Sequence, residues 1–306
     1  MTPAPPSTPA PTIAPPFDPA PPGKRVALLW TASLQGYVEP CGCTGDPLGG
    51  VARLAAAIEA AQKAYGKDRV LFVDGGDMLF EHLNDTSPID TCQQKAKNEL
   101  LVQTLKHQSL LATVDGPLDD VRGAEWRTTL LGGLRQLSDG KVFDAGRASV
   151  GVIPMRVDSE ADVARAAKSI ALEQAKLTSL LQRPYDALVV IAQAPRELTK
   201  KVMAGVSGVD VVIQARNPGE VPAPPERLPS GAVLVAAGQQ GQYLGVVEMN
   251  LDGRSEANGK PPLTLDDTQA KNDARTKELE LLIHEYEKQL VDMADGPRKQ
   301  LMQVKL

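Results

Sequence analysis

The sequence is poor in the residues that build metal centres and disulfide scaffolds. Of its 306 residues only 3 are His and 3 are Cys, which disfavours a His-rich metal site and a disulfide-rich ectodomain. No apolar stretch approaches the roughly 20 residues needed to cross a bilayer. The 33 basic and 38 acidic residues form no long run of one sign, so the electrostatic signature of a nucleic-acid binder is missing.

The chain is nevertheless apolar enough to fold. With 42% hydrophobic residues it can bury a sizeable core, so neither a disordered tail nor a disulfide-stabilised mini-protein is expected. The length allows one large domain or two small ones.

The first segment is dominated by proline. Residues 1–22 include 10 Pro, and because proline fixes φ and lacks an N–H, this stretch can form neither a helix nor a central strand. We expect residues 1–23 to be a disordered, solvated tether. An SH3-type ligand is an alternative, but no basic residue lies beside these prolines before Lys24.

The same segment bears on the compartment. It contains neither the basic and apolar regions of a signal peptide nor a Cys for lipidation. The sequence as given predicts a cytoplasmic protein, unless an export signal has been removed or wrongly assigned. A Pro-rich tether suits a lipoprotein-like bacterial envelope protein held off a membrane, so we favour the periplasm or cell envelope.

From Lys24 onward, short apolar runs alternate with amphipathic helical patterns. Continuous runs such as VALLW and ALVVIAQ are typical of strands covered on both faces. The pattern predicts strands over 25–32, 69–74, 110–114, 150–157, 186–193, 209–214, 232–238 and 244–251, and helices over 50–65, 90–107, 161–181 and 195–206. Alternating strands and helices indicate an α/β fold, in which ligands bind beyond the carboxyl ends of the strands.

A separate helical pattern follows at residues 265–295. Apolar residues spaced 4, 3, 4 and 3 form a two-heptad seam between positions 279 and 293, with charged flanks. Because coiled coils usually need more heptads, docking of this helix on its own domain is the simpler interpretation. Dimerisation or docking to a partner through 279–293 is the alternative.

The residues that follow the predicted strands form a recognisable series. It includes the run PLGGVARLAAAIEAA at 47–61, the Gly75-Gly76-Asp77 turn, and the later segments YDALVVIAQAPRE and GVDVVIQARNPGE. The series resembles the N-terminal domain of the 5'-nucleotidase branch of the calcineurin-like metallophosphoesterases, over residues 24–255. The resemblance implies a four-layer α/β/β/α sandwich. After the last predicted strand the sequence shows only the helical segment, so we expect no counterpart of the family's second, substrate-binding domain.

The resemblance also implies a position for a metal centre. The family binds two divalent ions at its strand ends, where they activate a water and clamp phosphate oxygens. The Gly-Asp motif is intact, and Asp77 matches the carboxylate that bridges the metals. The family's other ligand positions fall on Ser33 and Gln35, on Asp115 and Gly116, on Gln193, and on Arg216 and Asn217.

These residues predict a degenerate site. A dinuclear hydrolytic centre needs several anionic or imidazole ligands, whereas here one carboxylate stands among neutral amides and Arg216 adds a positive charge. We therefore expect no catalytic residue and no cofactor, with Asp77 as a weak metal candidate that alternatively caps the following turn. The strand ends that carry Gln35, Asp77, Gln193 and Asn217 could instead hydrogen-bond a small polar ligand or a peptide strand.

The three cysteines flank the same strand ends. Cys41 and Cys43 lie in the loop after the first strand, and Cys92 begins the helix after the second. Because both loops leave the same side of the sheet, we expect one disulfide and one free thiol, which suits an oxidising envelope. A zinc site of three Cys and His82, or a redox thiol, is the alternative.

Taken together, these patterns predict a non-catalytic, metallophosphoesterase-like envelope protein that binds an unknown protein or a small polar ligand. The alternative is a divergent, 5'-nucleotidase-like phosphohydrolase that holds Mn²⁺, Mg²⁺ or Zn²⁺ through Asp74, Asp77, Asp115 and Asp119. A second alternative is a thiol redox or metal module built on the Cys41–Cys43 loop.

Overall fold

A computed structural model describes residues 23–40, 48–83, 91–180, 185–216 and 222–252. The described residues all fall within one compact unit, Met1–Leu263. The predicted tether, the predicted C-terminal helix and three predicted site residues lie outside the described residues; those three are Cys41, Cys43 and Asn217.

The first sheet has five strands among the described residues, in the order β11-β1-β2-β3-β4. Strands β1 to β4 run parallel, and β11 pairs antiparallel with β1 along the outer edge. Their bounds are Arg25–Thr31 for β1, Val70–Asp74 for β2, Ala112–Val114 for β3, Gln136–Leu137 for β4 and Gly245–Asn250 for β11.

The second sheet has six strands in the part of the chain that is described, in the order β5-β6-β7-β8-β10-β9. The central four strands are parallel, whereas β5 and β9 pair antiparallel with their neighbours. The bounds are Lys141–Ala145 for β5, Ala148–Arg156 for β6, Ala187–Gln193 for β7, Val211–Gln214 for β8, Glu226–Arg227 for β9 and Val233–Ala236 for β10.

The helices cover the outer faces of the two sheets. They are α1 at Val51–Tyr65, α2 at Thr91–His107, α3 at Ala124–Leu131, α4 at Val163–Leu180 and α5 at Arg196–Met203. Side chains such as Leu28 and Val189 fill a core between the sheets. A second core joins the first sheet to α1, α2 and α3, and a third joins the second sheet to α4 and α5. These three cores separate four layers, so the predicted α/β/β/α sandwich is confirmed.

The predicted strands and helices are present with ends shifted by a few residues. The strands β1 and β7 are buried along nearly their whole length because both faces of their sheets are covered. The sequence did not predict β4, β5, β9 or α3. In the described ranges, no helix is long and apolar enough to cross a membrane.

Candidate functional site

The candidate site lies where six parallel strands end. We call the mouth the set of residues that follow β1, β2 and β3 in the first sheet and that end or follow β6, β7 and β8 in the second. In α/β folds this edge is where ligands bind. The sequence-predicted residues Ser33, Gln35, Asp77, Asp115, Gln193 and Arg216 all lie at it, whereas Asn217 is outside the described residues.

The Gly75-Gly76 pair brings the backbone of the first sheet against the second. A Cβ on Gly75 would lie 2.5 Å from the Cβ of Ala215 and 3.1 Å from that of Ala32. Gly76 has φ 91°, a left-handed conformation that suits glycine. The glycines of this motif are therefore explained by close packing and backbone geometry, without reference to a metal.

Three non-glycine residues at the mouth have left-handed backbones. Ser33, Gln35 and Asp77 have φ of 50°, 55° and 54°. They are held by backbone hydrogen bonds from Ser33 N to Gly76 O and from Gln35 N to Asp77 O, each 2.9 Å. Such conformations cost energy and concentrate at functional sites, which makes these three positions candidates for a binding site. The Ser33 hydroxyl donates to Ala215 O at 3.0 Å.

Asp77 is buried, with 3% of its surface exposed. Its Oδ1 accepts the N–H of Leu118 at 2.8 Å, which caps the short 3₁₀ turn Pro117–Asp120. Burial raises the pKa of Asp77, while the Leu118 N–H and the charges of Arg216 and Arg156 oppose the rise. One oxygen of this carboxylate is thus engaged by the protein.

Asp74 makes a closed polar network at the end of β2. Its Oδ1 accepts the Thr31 hydroxyl at 2.8 Å, and its Oδ2 accepts the Thr113 hydroxyl at 2.8 Å and the Gly76 N–H at 2.9 Å. Burial raises the pKa of Asp74 to about 6, against the effect of these hydrogen bonds. Both carboxylate oxygens of Asp74 are therefore engaged by hydrogen bonds from neighbouring segments, which leaves them poorly placed to bind a metal.

Asp119 is a buried anchor for the loop that carries Asp77. Its Oδ2 accepts the N–H groups of Asp77 and Gly116 at 2.8 and 2.9 Å. Its Oδ1 accepts those of Met78 and Leu79 at 2.7 and 3.0 Å. Burial raises the pKa of Asp119 to about 8, and the N–H of Gly116 opposes this rise. Both oxygens of Asp119 are therefore engaged in holding the backbone of this loop in place.

The second sheet contributes amides to the mouth. Gln193 is completely buried, donates from Nε2 to Gly75 O, and has no described partner for Oε1. Gln214, on the neighbouring strand β8, accepts from Arg196 at 3.2 Å. A neutral amide, that of Gln193, therefore occupies one of the ligand positions that the resemblance implies.

Arginines complete the mouth. Arg156 Nε lies 3.1 Å from Asp158 Oδ2, and Arg216 Nη1 pairs with Asp158 Oδ1. Partial burial favours a higher pKa for Asp158, but the hydrogen bond from Arg216 and the charge of Arg156 outweigh it, so the pKa is lowered. Arg127 Nη1 lies 3.5 Å from Asp115 Oδ2 on the first sheet. Asp158 and Asp115 thus each lie beside an arginine of opposite charge.

The residues of the mouth do not fit a two-metal centre. The six described positions supply a serine, two glutamines, two aspartates and an arginine. The described residues contain no group of three or more His, Cys, Asp or Glu that could hold a metal ion. Two divalent ions need more anionic or imidazole donors than this set provides.

The predicted cysteine site is described only in part. Cys92 is exposed and free in the first turn of α2, and His82 is exposed in the loop after β2. Cys41 and Cys43 lie outside the described residues, so the disulfide, the zinc site and the redox thiol remain predictions.

Sequence reasoning missed Arg156 and Asp158. Arg156 is the last residue of β6, in register with Gln193 of β7, and Asp158 follows two residues later. The signal was available, since the rule that site residues follow strands applies to β6 as it does to β7 and β8.

Many solved structures resemble this fold, and three illustrate the likeness. The Thermus thermophilus sulfate thiohydrolase SoxB is 15% identical over 80% of this chain and 59% of its own, with a TM-score of 0.56. The Haemophilus influenzae NAD nucleotidase NadN is 13% identical over 78% of this chain and 49% of its own, with a TM-score of 0.59. A 5'-nucleotidase precursor from Thermus thermophilus is 18% identical over 88% of this chain and 60% of its own, with a TM-score of 0.50.

These likenesses establish the fold. The chain has a calcineurin-like metallophosphoesterase fold, as the strand-end series predicted. No family model matches the sequence, and no curated protein matches it. The chain spans about half to three-fifths of the length of the solved structures it matches.

Proposed function

We propose that this protein is a metallophosphoesterase-like domain that does not hydrolyse phosphoesters and acts by binding. The observation that carries the proposal is the donor set of the mouth. Ser33, Gln35 and Gln193 are neutral, and one oxygen of Asp77 is engaged by the Leu118 N–H. Two-metal hydrolysis requires a water held and activated by cations, and these side chains offer cations little.

The carboxylates of the alternative phosphohydrolase are occupied in other ways. Asp74 accepts three hydrogen bonds and Asp119 accepts four, all from protein groups. Asp115 is half-exposed and lies beside Arg127. An all-carboxylate Mg²⁺ site would have to break these contacts first, so non-catalytic binding is the better-supported function.

The ligand we propose is a protein or a small polar molecule at the mouth. The buried Oε1 of Gln193 has no described partner and would accept an N–H or O–H from such a ligand. We further propose that the domain works in the bacterial envelope, with the Pro-rich segment 1–23 as its tether. Fractionation of the host cells, with an antibody to residues 24–252, tests this location.

Hydrolysis assays test the proposal directly. We expect no release of nitrophenol from bis(p-nitrophenyl) phosphate and no phosphate from AMP above the blank, with Mn²⁺, Mg²⁺ or Zn²⁺ at millimolar concentration. The Asp77→Ala variant should give the same background. Metal-dependent turnover that disappears in Asp77→Ala would contradict the proposal, because it would show a working centre around the matched carboxylate.

A further inference from the structure

The backbone N–H groups after β2 are engaged inside the protein. Loops at such positions commonly bind phosphate through N–H groups that point at the ligand. Here the two oxygens of Asp119 accept four of these groups, and Asp74 Oδ2 accepts that of Gly76. The four N–H groups belong to Asp77, Met78, Leu79 and Gly116. A carboxyl group of the chain itself therefore fills the place where this loop would hold an anion.

The loop after β1 is engaged in the same way. The N–H groups of Ser33, Gln35 and Gly36 donate to carbonyl oxygens of the loop after β2 at 2.9, 2.9 and 2.7 Å. The Leu118 N–H donates to Asp77 Oδ1 at 2.8 Å. A phosphate could use these N–H groups only by breaking the contacts that hold the loops together.

The buried side chains beside these loops are left with acceptors. Ser33, Asp77 and Gln193 are 2%, 3% and 0% exposed. The Ser33 hydroxyl donates to Ala215 O, which leaves its lone pairs as acceptors. Gln193 donates from Nε2 to Gly75 O, which fixes the two ends of the amide, and its buried Oε1 has no partner among the described residues.

The Gly75-Gly76 turn brings these three side chains together. Gln193 binds Gly75 O, the Ser33 N–H donates to Gly76 O, and Asp77 is the next residue. A Cβ on Gly76 would lie 2.9 Å from Gln193 Nε2, so the amide nitrogen packs against the backbone of the turn. Asp77 uses Oδ1 for the turn at Pro117, and no described residue donates to its Oδ2.

We propose that the mouth binds an amino or amide group through these acceptors and excludes phosphate and other anions. The inference rests on the proposed function and narrows its ligand to a compound that presents N–H donors. An N–H would satisfy the buried Oε1 of Gln193, since an unpaired buried acceptor is destabilising. It would also meet the negative charge of Asp77, which opposes the approach of an anion.

The arginines of the mouth do not reverse this preference. Arg156 and Arg216 both pair with Asp158, and Arg127 lies beside Asp115. A phosphate would have to compete with these carboxylates for each guanidinium group.

Probe titrations of the full-length, EDTA-treated protein test the inference. Methylammonium, acetamide and inorganic phosphate are added at constant ionic strength, and the NMR signals of the Gly75 and Gly76 N–H groups are followed. We expect saturable shifts with methylammonium, weaker ones with acetamide and none with phosphate. Saturable shifts with phosphate, or none with either nitrogen compound up to about 100 mM, would overturn the proposal.

A glutamine variant assigns the binding to the mouth. Gln193→Met keeps the length of the side chain and removes the acceptor, so we expect the affinity for methylammonium to fall about fivefold or more. The control is Gln174→Met, because Gln174 also donates from Nε2 to a backbone oxygen, that of Ser207 at 2.8 Å, but at an exposed position on α4. Equal affinities in both variants and the wild type would overturn the proposal. The comparison of probes on the wild-type protein stands even where Gln193→Met fails to fold.

This inference and the proposed function fail in different assays. Metal-dependent hydrolysis would contradict the proposed function. Binding of phosphate without hydrolysis, or no binding of the nitrogen compounds, would contradict this inference alone.

Discussion

At the residue scale, Asp74, Asp77 and Asp119 accept hydrogen bonds from protein groups around the mouth. Asp77 accepts an N–H of the turn that begins at Pro117, 41 positions further along the chain, rather than capping the turn that directly follows it. Asp74 ties β1 to β3 through Thr31 and Thr113. A carboxylate at a strand end can thus persist for structural reasons, independent of metal chemistry.

The pH dependence of stability is expected to report on Asp74. Burial raises its pKa to about 6 from an ordinary value of 3.8, so the folded state binds more protons than the unfolded state between these values. The contribution of Asp74 to stability therefore falls as pH rises from about 4 to about 6 and is constant above. The full change is about 3 kcal/mol.

Comparison with Asp74→Asn isolates this contribution from those of other groups. Urea unfolding of both proteins at pH 4, 5, 6 and 7 gives the difference in their free energies of unfolding. We expect the wild-type protein to lose stability relative to the variant across pH 4 to 6. Parallel curves would show that the Asp74 pKa is the same in the folded and unfolded states.

The sequence allowed part of this residue-scale picture to be predicted. The positions of Asp77, Gln193 and Arg216 at strand ends follow from the strand pattern alone. The four N–H groups that Asp119 accepts do not, because three of them belong to residues 40 to 42 positions earlier in the chain. Contacts of that separation depend on how the sheet is assembled.

At the element scale, the turn from β3 into the 3₁₀ segment locks against the loop after β2. Gly116 lies in this turn with an ordinary extended backbone, φ −94°. A Cβ there would lie 2.5 Å from Asp77 Cγ and closer still to its N and Oδ1. The space beside Gly116, one of the ligand positions that the resemblance implies, is therefore filled by the side chain and backbone of Asp77.

Gly116→Ala is expected to destabilise the protein by about 3 kcal/mol. Backbone strain is not the reason, because alanine accepts this φ; the loss comes from overpacking against Asp77. Urea or thermal unfolding gives the value.

Gly205→Ala is the matched control. Its new Cβ would lie 3.7 Å from Val202 O and 3.8 Å from the Ala167 Cβ, so we expect a change within about 0.5 kcal/mol. Equal stabilities for Gly116→Ala and wild type would show that Asp77 does not occupy this space.

The element pattern was largely readable because the central strands are buried on both faces. The continuous apolar runs of β1 and β7 can be recognised as buried strands from the sequence alone. The strands β4 and β9 have two residues each, too few for any periodicity. The helix α3 has eight residues and little segregation of apolar side chains, so its sequence resembles a loop.

At the scale of the whole molecule, the two sheets and four layers share the fold of the nucleotidases they resemble, while the described residues of the mouth are mainly amides, aspartates and arginines. The fold is set by burial in three cores, which depends on apolar pattern and tolerates many residues at the strand ends. Function depends on those few residues. A chain can therefore share the fold of nucleotidases and still have Arg156 and Arg216 at its strand ends.

Calorimetric titration of the chelator-treated protein with Mn²⁺ measures whether the mouth binds divalent ions. Mn²⁺ prefers oxygen and nitrogen donors over thiolates, so the cysteines contribute little to the heat. We expect no binding heat up to millimolar Mn²⁺, with Asp77→Asn indistinguishable from wild type. Binding of two ions per chain, lost in Asp77→Asn, would contradict it.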